Sequence, residues 1–112
     1  MKKITVFILV IVLGTACSGS EKPAGLLSED KVVEVLVDIH MAEGMVSALP
    51  IPYDSSRKIY PVLEKEIFEK HQVSDSVFMD SFEYYLRDAR TMENIYSRTI
   101  DSLAVRAKTG DQ

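Results

Sequence analysis

The sequence predicts an all-α domain: a small bundle of three to four short helices behind a signal peptide and a flexible tether. Three observations predict it. Apolar residues recur at spacings of three, four and seven through most of the chain after Lys31. Serine, aspartate and proline cluster at Ser28, at 50–56 and at 74–76, where helices would start. The stretch from Lys31 to Glu43 holds neither proline nor glycine and outruns an ordinary strand.

The first segment is a leader. Lys2 and Lys3 precede an apolar run from Ile4 to Leu13, then Gly14, Thr15 and Ala16 lead to Cys17, the one cysteine in the chain. A bilayer crossing needs about 20 apolar residues, so this order reads as a signal peptide rather than a span. Residues 1–16 are therefore expected to be a lipoprotein signal and Cys17 the lipidated N-terminus. Gly14 stands where such signals most often carry leucine. With Cys17 acylated no free thiol remains, which excludes disulfides, thiol redox chemistry and thiolate metal sites. Several acyl chains on one residue suffice for stable membrane anchoring.

Removing 16 of the 112 residues leaves 96, enough for one domain with a marginal core. Without Lys2 and Lys3, 11 basic residues face 17 acidic ones, a net charge near −6. Such a surface argues against nucleic acid and against electrostatic binding to anionic lipid. Residues 17–26, small and polar with Pro23, read as a tether. With no acidic cluster after Cys17, a periplasm-facing site at the outer membrane is expected over surface display.

The folded part is expected to span 27–107. Ser28 can cap a first helix, with Glu29 and Asp30 at its positive end and Leu27 and Val32 as a staple. Its body, Lys31 to Leu49, also alternates like a strand through Val33, Val35, Val37 and Ile39. Length favours the helix, and apolar residues around much of its circumference predict a central position. Pro50 and Pro52 end it. Asp54 or Ser55 would cap the second helix, with Ile59, Leu63 and Ile67 inward. Pro61 either opens the regular helix or bends it. Ser74 to Ser76 cap the third, whose stripe is Phe78, Phe82, Tyr85, Leu86 and Ala89. A loose junction at 87–91 leads to the fourth, carrying Met92, Ile95, Tyr96, Thr99, Ile100, Leu103 and Ala107. Residues 108–112 read as a disordered tail.

S-E-D-K-V-V-E-V-L-V-D-I-H-M-A-E-G at Ser28–Gly44, E-K-H-Q-V-S at Glu69–Ser74, F-x-x-x-F-E-Y-Y at Phe78–Tyr85 and I-Y-S-R-T-I at Ile95–Ile100 resemble a family of small Bacteroidetes lipoproteins, the domain of unknown function DUF4296. The likeness covers about Leu26 to Leu103. Gln72 departs from it, since glycine usually follows that histidine. The position calls for a left-handed backbone after a helix end. The resemblance implies location and class, and carries no activity.

Asp38, His40 and Glu43 are the one cluster that looks like chemistry. Asp38 and His40 point about 200° apart on a helix, whereas His40 and Glu43 share a face. That pair is half of a metal site, an acid–base pair, or hydrogen-bonded to each other or to nearby backbone; the last is the plainer reading, so no metal or other cofactor is expected. Tyr84, with Tyr53 and Tyr60, offers an aromatic surface for a protein partner. Met41, Met45, Met79 and Met92 either fill the core or line an adaptable groove. Neither a nucleophile elbow nor a glycine-rich phosphate loop occurs, so no enzyme and no small-molecule substrate are expected. The leading expectation is a non-catalytic adaptor of an envelope complex, anchored through Cys17. A peptide-holding chaperone and a metal-binding lipoprotein built on His40 and Glu43 are the alternatives.

Overall fold

The computed structural model describes residues 22–110, so Cys17, the expected leader and half of the expected tether lie outside the described residues. Four helices and no strand form there: α1 Glu29–Ala48, α2 Tyr53–Lys70, α3 Asp75–Leu86 and α4 Ala89–Thr109. The all-α expectation holds.

α1 opens as its residues dictate. The Ser28 hydroxyl accepts from the Lys31 N–H at 3.1 Å, and Glu29 and Asp30 occupy the first turn. Val32, Val33, Val35, Leu36 and Val37 are all buried. Five buried positions in six residues cannot fit one stripe, and α1 indeed packs against each of the other three helices. Tertiary burial overrides the modest helix propensity of valine here.

Two contacts fix how α4 lies on α1. Arg98 pairs with Asp30 and Arg106 with Asp38, each 68 residues apart, so the two helices run parallel at a constant register. α2 returns antiparallel: Tyr60 reaches Glu43 near the end of α1, and Lys70 reaches Asp38 near its middle. α3 meets α1 at its start. Ser81 accepts from the Leu27 N–H at 3.0 Å, and the Tyr85 hydroxyl donates to the Leu27 carbonyl at 2.7 Å. Both backbone groups of Leu27 are thereby held by α3.

The structure revises several boundaries. α2 starts at Tyr53, capped by Pro52 rather than by Asp54 or Ser55, because the Pro52 carbonyl already receives the Ser55 and Ser56 N–H groups. Pro61 sits inside α2, and the regular helix begins eight residues before it. The junction at 87–91 is tight. Asp88 caps α4 by accepting from the Arg90 N–H and the Thr91 hydroxyl, which hold its carboxyl below the ordinary range. Residues 108 and 109 belong to α4, which ends at Gly110 with φ 71°.

The apolar stripes shift too. Leu86, Tyr96 and Ile100 are exposed, while Ser81 and Thr99 are fully buried. The buried line of α4 runs Met92, Ile95, Thr99 and on towards Arg106, one step away from Tyr96 and Ile100. Buried hydroxyls are tolerated because each donates to the carbonyl four residues earlier, Ser81 to Val77 and Thr99 to Ile95.

α2 ends in a Schellman motif. The Val73 N–H bonds the Phe68 carbonyl and the Gln72 N–H bonds that of Glu69. Gln72 has φ 55°, the left-handed conformation expected at that position. A side chain there costs about 1–2 kcal/mol, partly offset by the unfolded-state freedom that glycine would add. Gln72→Gly should therefore raise stability by about 0.5–1 kcal/mol in urea unfolding.

Candidate functional site

The densest polar cluster lies in the middle of the bundle. Asp38 projects from α1 and is nearly buried. Its Oδ2 accepts from Lys70 Nζ at 2.9 Å and lies 2.7 Å from His71 Nε2, both at the C-terminal end of α2. Its Oδ1 accepts from Arg106 Nη1 of α4 at 3.0 Å. Glu34 Oε2 stands 3.9 Å from the other nitrogen of His71. Burial alone would raise the Asp38 pKa, but the hydrogen bonds from Lys70, His71 and Arg106 outweigh it and hold the carboxyl below its ordinary value.

This arrangement is a clamp. One carboxylate joins α1, α2 and α4; Lys70 keeps most of its side chain in solvent, whereas Arg106 is half-buried. Asp38 is therefore part of a long-range cluster and not of a local one with His40 and Glu43. The latter pair stands apart on the surface, with His40 Nδ1 3.3 Å from Glu43 Oε2. Among the described residues no group of three His, Cys, Asp or Glu side chains is placed to hold a metal ion.

A groove of about 260 Å³ opens beside the clamp. Met41, Ala42 and Met45 of α1 and Leu63 and Ile67 of α2 supply apolar lining, and Asp38, Glu66, Lys70 and Arg106 supply charges of both signs. Of the methionines in the described residues, Met92 is buried, Met41 half-buried, and Met45 and Met79 exposed.

The three tyrosines do not form one surface. Tyr84 sits edge-on to Tyr85, with centroids 5.4 Å apart, beside Leu26 and Glu29 at the start of α1. Tyr60 is half-buried and reaches Glu43, fourteen residues along α1, about 21 Å away at helical rise. Tyr53, 75% exposed, opens α2 with Arg57 stacked 5.8 Å from its ring centroid. Tyr53 and Tyr60 thus share one end of the domain and Tyr84 marks the other.

The Asp38 clamp escapes a local reading because its partners are 32, 33 and 68 residues away. One signal was present: an acid among buried valines needs a cation, and Arg106 falls on the line of Met92, Ile95 and Thr99.

A family model described as a domain of unknown function, DUF4296, matches residues 23–109. The chain is a DUF4296 protein. The match takes in all four helices and both ends of the Leu27 attachment to α3. The motif resemblance is thereby borne out over nearly the whole folded part. Comparison of the DUF4296 chain with curated proteins and with solved structures gives no match. Among the described residues no helix is long and apolar enough to cross a membrane.

Proposed function

We propose that this DUF4296 protein is a non-catalytic interaction module of a cell-envelope complex, held by lipid on Cys17 at the periplasmic face of the outer membrane. One observation supports the reading: the segment from Cys17 joins the bundle at one end, and an exposed aromatic residue stands at the other. The segment that leads from Cys17 meets the bundle at Leu27, where α3 binds both backbone groups. The opposite end of α1 lies about 30 Å away, twenty residues at 1.5 Å each. There the α1–α2 connection carries exposed Tyr53 with Arg57 stacked on it, a residue pair common at protein interfaces. A tether fixed at one end leaves this tip free to reach a partner beyond the lipid headgroups.

Purification from native membranes in mild detergent tests the reading, with co-purifying proteins identified by mass spectrometry. Tyr53→Ala is expected to release the bound partner with helical circular dichroism unchanged, and Tyr84→Ala, at the anchored end, to retain it. Equal retention by both variants, or no specific partner with the parent chain, contradicts the proposal.

A further inference from the structure

The α1–α2 tip projects past the rest of the bundle. At the 68-residue register, Thr109 at the end of α4 lies level with Met41, so among the described helices α1 from Ala42 onward has α2 alone beside it. Two helices enclose little core between themselves: α1 buries Val46 here, and α2 contains no fully buried residue. The face on the groove side carries an apolar stripe beside its charges. Met41, Met45 and Leu49 continue the helical line of Asp38 along α1, and Leu63 lines the groove from α2. Val62 lies one turn before Glu66 on the same flank. Met45 is 59% exposed and Val62 58%.

We propose that this face is covered by a second copy of the chain, the two α1–α2 tips packing about a two-fold axis into a four-helix bundle. Charge selects that occupant. The chain as a whole is acidic, at −4, so most pairs of surfaces on two copies repel. The groove instead balances Lys70 and Arg106 against Asp38 and Glu66. A two-fold contact sets each residue of the patch opposite another residue of the same patch, so it requires both signs on one surface. Here each Glu66 can meet a cation of the other copy while the methionine stripes pack together. Polarizable, unbranched methionine suits a self-complementary seam. Tyr60 meets Glu43 on the other side of the hairpin, so this pairing leaves the proposed partner surface open and stands independently of it.

The full chain in mild detergent tests the pairing. Met45, midway along the stripe, lies nearest the axis, so Met45→Cys should form disulfide-linked dimers on mild oxidation. The yield should exceed several-fold that of the parent, whose one cysteine is Cys17, and that of Glu83→Cys on the exposed side of α3. Light scattering should give a dimer mass for the parent and half of it for Met45→Asp or Val62→Asp, with the helical signal retained. A monomeric parent, or a Met45→Cys yield no greater than that of Glu83→Cys, overturns the proposal.

Discussion

Asp38→Ala is expected to destabilise the domain by about 3 kcal/mol, at the low end for breaking a buried ion pair. Lys70 and Arg106 can turn into solvent once the carboxylate is gone, which limits the loss. His71, 11% exposed, has no such freedom and keeps the cost high. Asp38→Asn preserves shape and should cost about 2 kcal/mol, the difference between charged and neutral hydrogen bonds to three donors. The effect has a defined pH dependence. The folded-state pKa of Asp38 lies below its ordinary value of 3.8, so its stabilisation is complete above that value and is lost as pH falls through the lower, folded one. The gap in unfolding free energy between parent and Asp38→Asn should therefore be constant near neutrality and close on acidification below about pH 4. Urea titrations across that range measure it. A gap that persists into strong acid contradicts the clamp.

Ile95→Ala is expected to cost about 3–4 kcal/mol, the range for truncating a large aliphatic side chain in a packed core. Ile95 has no exposed surface and packs in the cluster with Val32, Val35, Val37 and Phe78. A domain of this size holds roughly 4–12 kcal/mol in total, so the variant should be partly unfolded at physiological temperature. Thermal denaturation followed by circular dichroism reads this directly. Ile100→Ala, on the exposed side of the same helix, should stay within about 0.5 kcal/mol of the parent.

These two sites show what the sequence made legible and what it hid. The central place of α1 was readable, because apolar residues on more than one face of a helix demand neighbours on more than one side. Ser28 and Ser74 announced their helices, and both side chains accept the N–H three residues on. The left-handed backbone at Gln72 was implied by the family resemblance, in which glycine usually follows the histidine at that helix end. Capping by Pro52 was not, since it uses a backbone carbonyl that leaves no mark in side-chain chemistry. The stripe of α4 was drawn too wide: Met92, Ile95 and Thr99 are buried as expected, while Tyr96 and Ile100, included for their apolar bulk, are exposed and Arg106 was left out. Helix spacing offers both lines, and the choice was made by Asp38 on a helix far away in the chain. The tyrosines failed as a single surface for the same reason. Residue type marked each as an interface candidate, and distance along α1 separated them.

The clamp and the Leu27 attachment together give the functional reading its form. Three helices tied at Asp38 make a rigid body, and Leu27 transmits the position of the tether to that body. In the proposed function, anchoring through Cys17 then sets where the tip stands relative to the membrane. The account depends on residue 17 carrying that anchor. Intact-mass measurement of the protein extracted from native membranes tests this most directly. The expected result is a chain that begins at Cys17 and is heavier than its polypeptide by several acyl groups. A chain that retains its first sixteen residues, or a mature one with unmodified Cys17, contradicts the account.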